Sequence, residues 1–131
     1  MSTNNITRAT LGTAAGFGPS FRQVREALGL SQIACARSMQ LSKNCVINME
    51  RGSDPRLGTV LAALAVVGQA LLVWREAVSL DVAEVAEMTQ LTCQVIREIE
   101  DGLSLDMAAV LHIATVYKGI AARALGAEIE R

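Results

Sequence analysis

The sequence predicts an all-α fold made of two tandem four- to five-helix units. Three observations predict it. Residues 24–69 laid on residues 74–119 without a gap give twelve identities, among them Arg25/Arg75, Glu26/Glu76, Ala36/Ala86, Gln40/Gln90, Leu41/Leu91, Glu50/Glu100 and Gly52/Gly102. Self-similarity at a fixed offset marks a copied supersecondary unit. Helix start and stop residues recur at matching places in both copies. No segment sustains the period-two alternation of a half-buried strand. Composition agrees: 51% of residues are apolar but only 3% aromatic, so the core is built mainly from Ala, Leu and Val.

The elements follow in order. The first 18 residues, MSTNNITRATLGTAAGFG, are small and polar with scattered Gly, and a flexible N-terminal tail is expected there. They lack the basic region and apolar core of a secretory signal. Pro19-Ser20 with Gln23 reads as a capping box opening the first helix. Ser31 caps a short second helix to about Ser38. Ser42 caps a third to about Glu50, stopped by Gly52. Asp54-Pro55 marks a turn, and a fourth helix runs from about Leu57 to Val67. Gly68-Gln69 is where that helix is expected to end and the next to begin. In the second copy Asp81 with Glu84, then Thr92 and Gly102, repeat the signals before a helix from about Leu105 to Tyr117. AARALGAEIER extends that helix or forms a ninth. The expected organisation is therefore a tail (1–18), unit 1 (19–68) and unit 2 (69–131).

Leu57 to Trp74 is an uncharged run long enough to span a membrane. Because it belongs partly to each repeat, it reads instead as helices of the two units, and no membrane contact is expected. Cys35 and Cys45 align with Val85 and Val95, so both are expected to be reduced core thiols of a cytoplasmic protein. There is no CxxC, and the single histidine, His112, sits in an apolar helical run and reads as a structural or surface residue, so no metal site is expected. No carboxylate pair, Ser/His/Asp set or Gly-rich phosphate loop appears, and neither an enzyme nor a cofactor is expected.

The second and third helices are joined by a tight turn at Gln40-Leu41, the layout of a helix-turn-helix. The segment Arg25 to Gly68 resembles the Cro/C1-type, lambda-repressor-like family. The residues carrying the likeness are Arg25 with Ser31-Gln32, Ala36, Leu41-Ser42, Glu50-Arg51-Gly52, Pro55 and the LGTVL from Leu57. The second copy resembles the same family more loosely. The resemblance implies buried ion pairs Arg25–Glu50 and Arg75–Glu100. It also implies that Gln32 bonds to phosphate and that the third helix reads the major groove of double-stranded DNA. On that basis Ser42, Lys43, Asn44 and Asn48 are the candidate DNA-contacting residues, with Arg51 meeting the backbone. Lys43 suits guanine O6/N7 or phosphate, and Asn44 suits adenine N6/N7.

The second copy departs from this set. Ser31-Gln32 becomes Asp81-Val82, Lys43 becomes Cys93, Asn48 becomes Glu98 and Arg51 becomes Asp101; Gln94 keeps a base-reading type. Residues 21–69 carry net +3 and residues 71–119 carry net −5. A polyanion suits the first and is repelled by the second. The reading is a transcription regulator, a repressor, whose first unit reads DNA. The second unit then forms a homodimer or receives a partner regulator. The alternative is an anti-activator or anti-repressor that sequesters another regulator without binding DNA.

Overall fold

A computed structural model describes residues 14–130, with side chains described for 16–123. All the regular elements among them are helices: α1 (Ala14–Ala27), α2 (Gln32–Met39), α3 (Lys43–Glu50), α4 (Leu57–Ala77), α5 (Val82–Thr89), α6 (Cys93–Glu100) and α7 (Met107–Glu130). The expected tail overlaps α1. Residues 1–13, including Arg8, lie outside the described residues.

Local structure repeats at the fifty-residue offset. Ser31 and Asp81 cap α2 and α5, and Ser42 and Thr92 cap α3 and α6. The capping box at Asp81 is complete: its carboxylate accepts from Glu84 N (2.8 Å), and its own N–H donates to the Glu84 carboxylate (2.9 Å). The turns between the short helices are left-handed at Gln40 (φ 58°) and Gln90 (φ 63°). Glycine is the usual occupant of such a position, since an L side chain there costs about 1–2 kcal/mol. α2 lies against α3 and α4, and α5 correspondingly lies against α6 and α7.

Two expected boundaries are corrected. The first helix does not open at Pro19-Ser20; it starts at Ala14 and carries Pro19 inside it. The start signal is overridden because Phe17 and Phe21 are both buried, their rings stacked 5.9 Å apart. Nor does a helix end at Gly68. α4 runs unbroken for 21 residues, so the unit boundary at 68/69 falls inside a helix that both halves share. Gly68 serves close approach: a Cβ there would collide with the carbonyl oxygens of Ile99 and Glu100. Gly18, fifty residues earlier, meets the carbonyl of Met49 in the same way. At the end of the chain the last helix continues to Glu130 without a ninth helix.

The core joins both halves. Phe21, Val24, Val46 and Met49 from the first half and Ile96, Ile113 and Tyr117 from the second belong to one buried cluster, with Leu64, Val67 and Leu71 of α4 between them. α1 also lies along α7, which closes the molecule. α4 is long and apolar enough to cross a membrane, with a mean hydropathy of 2.1. Its Val60, Ala63, Leu64, Val67 and Leu71 are core residues, although the run is one helix and not the two that the repeat suggested.

Candidate nucleic-acid interface

α3 is eight residues long and too short to persist alone. Three features hold it. Its N-terminus is capped by Ser42, whose hydroxyl accepts from Cys45 N at 3.2 Å. Its inner face, Val46, Met49 and Glu50, is buried. Its last turn is pinned by Arg25, whose Nε and Nη2 donate to the two Glu50 oxygens at 2.6 and 3.0 Å. Arg25 Nη1 donates to Leu30 O at 2.7 Å, which ties the loop after α1 to the same pair. The hydrogen bond to Glu50 raises the Arg25 pKa still further. The second half repeats the arrangement: Arg75 bonds Glu100 at 2.7 and 3.1 Å and Leu80 O at 3.0 Å.

With its inner face fixed, α3 presents Lys43, Asn44 and Asn48 outward, all exposed, and exposed Arg51 follows as the C-cap. Ser42 is exposed too, but its oxygen is engaged in the cap. Gln32 is placed differently from expectation. It is half-buried and donates its amide to Glu50 Oε1 at 3.1 Å, which turns that donor from solvent toward the ion pair. Five of the six candidate residues are thus exposed on α3 or at its ends, and the sixth bonds the ion pair beneath it.

Two residues there were misread or missed. Cys45, expected in the core, is exposed, and Cys93 is half-exposed; only Cys35 is a core thiol, its pKa raised by burial. The buried positions of α3 are Val46, Met49 and Glu50, and Cys45 falls beside that stripe. Arg56 was not singled out. It borders a groove of about 410 Å3 together with Cys45, Asn48 and Ser53. The sequence held a signal for it, since Arg56 aligns with Asp106 in the repeat, one more basic residue replaced by a carboxylate.

α6 offers another chemistry. Gln94 is exposed but donates to Glu98 Oε2 at 3.1 Å, so its amide is held by a carboxylate on its own helix. Asp101 is exposed at its end. His112 bonds the Thr89 carbonyl at 3.1 Å, which joins α7 to α5. Among the described residues no three His, Cys, Asp or Glu side chains cluster as metal ligands do.

Comparison with protein-family models, with curated proteins and with solved structures gives no match.

Proposed function

We propose that the chain is a cytoplasmic, sequence-specific DNA-binding regulator of the Cro/C1 type, a repressor, built from two helix-turn-helix units that share α4. In this reading α3 enters the major groove. The observation that carries it is the outward group Lys43, Asn44 and Asn48 on a helix fixed by the Arg25–Glu50 pair. An amide on a rigid helix can make the paired hydrogen bonds that distinguish one base from another, worth about 1–3 kcal/mol each. Lys43, Arg51 and Arg56 supply charge for phosphate, and the first half's net +3 favours approach to DNA.

The second half favours protein contacts. Its net charge of −5 repels phosphate, and Glu98 holds Gln94, which alone keeps a base-reading type at a place matching those of α3. That observation also supports the second reading, sequestration of another regulator through an acidic face. A gel shift on the chain's own upstream region separates them. Regulation predicts salt-sensitive binding that Asn44→Ala weakens by about 1–3 kcal/mol, a factor of roughly five to 150, and that Gln94→Ala leaves intact. Absence of any salt-sensitive binding sinks DNA reading and leaves sequestration.

A further inference from the structure

We infer that Gln32 is a positioning residue for α3, acting through Glu50 and not through a phosphate contact. The inference rests on the DNA-reading role proposed for α3. One end of the α2–α3 pair is closed by the turn at Gln40, where Leu41 N–H donates to Ala36 O at 2.9 Å. Gln32 opens α2 and Glu50 closes α3, so both belong to the other end, a full helix away from the turn. The bond from Gln32 Nε2 to Glu50 Oε1 at 3.1 Å joins those ends directly. A turn at one end and a clasp at the other fix the angle between the two helices.

That angle matters to a helix that reads bases. Each of the two helices has eight residues. At 1.5 Å per residue each is about 12 Å long, so a tilt of about 5° about the turn moves the far end by roughly 1 Å. Recognition requires placement within about 0.5 Å. Arg25 does not supply this restraint, because it reaches Glu50 from α1 and ties it to Leu30 O, which precedes α2. The amide's acceptor is a carboxylate, and hydrogen bonds to carboxylates are roughly twice as strong as neutral ones.

The repeat supplies the comparison. Val82 occupies the matching place in the second half and has no side-chain donor to offer. Among the described residues Glu100 receives Arg75 alone, and its side chain is 9% exposed against 2% for Glu50. The clasp therefore accompanies the half whose third helix presents Lys43, Asn44 and Asn48. It is missing from the half where Glu98 and Asp101 stand at the matching places.

The test substitutes Gln32→Met in the full chain, which keeps side-chain length and helix propensity and removes the donor. In the absence of DNA, urea denaturation should show the folded-to-unfolded ratio falling about tenfold, the scale of a hydrogen bond to a charged partner. A residue that only touches phosphate would leave the free chain unchanged. In gel shifts on the upstream region, Gln32→Met should weaken binding by a factor of roughly three or more, as coupled neighbours do. Asn48 lies toward the clasped end of α3 and Asn44 beside the turn. Asn48→Ala should therefore cost less in the Gln32→Met chain than in the wild type, whereas Asn44→Ala should cost the same in both. Unchanged stability of the free chain overturns the inference. So does a loss of stability with affinity unchanged, or a loss of affinity additive with both asparagines, which is what a phosphate bond gives. A wild type without salt-sensitive binding instead removes DNA reading itself, and shows this before any variant is compared.

Discussion

At the scale of single residues, the two ion pairs do similar work in different surroundings. The Arg25 and Glu50 side chains are 9% and 2% exposed, against 15% and 9% for Arg75 and Glu100. Truncating one partner strands the other in a poorly solvated place, which costs on the order of 3–5 kcal/mol. Glu50 also receives Gln32, so its loss leaves a second group without its partner. Urea denaturation should therefore find Glu50→Ala more destabilising than Glu100→Ala, with Glu50→Ala near the upper part of that range. Replacing Arg25 and Glu50 together by apolar residues of similar volume should recover most of the loss. A cost below about 1 kcal/mol for Glu50→Ala would mean water reaches the pair freely. Both pairs were legible through the family resemblance, whose paired Arg and Glu positions are occupied in each copy. The Gln32 bond was not, because it depends on which way an amide turns, and the residue type serves phosphate equally well. Cys45 was misread for a related reason: its match to Val95 reports apolar character, while depth depends on the rotation of α3 about its axis.

At the scale of elements, the clearest lesson is α4. Glycine at position 68 was read as a stop, and its lack of a Cβ is instead used sideways, against the Ile99 carbonyl. Sequence reading cannot separate these uses, since both need a glycine and only the neighbour across the interface differs. The start of α1 was hidden in the same manner, because Pro19 is a good opening residue and the burial of Phe17 decided otherwise. Two glycines in α4 make the point measurable. Gly58 has nothing within 4 Å of an added Cβ, whereas Gly68 meets backbone oxygens. Helix propensity alone favours alanine over glycine by up to about 1 kcal/mol at either position. Gly58→Ala should thus raise the melting temperature by a few degrees, and Gly68→Ala should lower it despite the same intrinsic gain. Equal shifts of one sign would show that the contact between α4 and α6 yields easily and that propensity governs.

At the scale of the whole molecule, Tyr117 reports on how the halves close on one another. It is fully buried in α7, its ring 6.0 Å from that of Trp74 in α4, and its hydroxyl makes no hydrogen bond among the described residues. Burial, reinforced by the negative charge of Glu100 and opposed by Arg75, pushes its pKa up to about 12. In the unfolded chain a tyrosine titrates near 10. Below about pH 10 the phenol is protonated in both states, so its contribution to stability is constant and fully present. Between about 10 and 12 the unfolded chain releases the proton and the folded chain keeps it. Unfolding is then favoured as pH rises, and that contribution falls away through the folded pKa, by roughly 2–3 kcal/mol. Because Tyr117 is the only tyrosine, phenolate absorbance follows it alone. The expected result is a phenolate signal that appears near pH 12 or together with loss of helicity, and not before. Tyr117→Phe should remove this part of the alkaline limb. At neutral pH it should leave stability unchanged or raise it, since it deletes a buried hydroxyl that has no partner among the described residues. The difference between wild type and Tyr117→Phe is the quantity to read. A phenolate that forms near pH 10 with helicity intact would place the hydroxyl in contact with water. In that case the cluster joining α4 to α7 would open in the native state, and the two halves would not share one closed core.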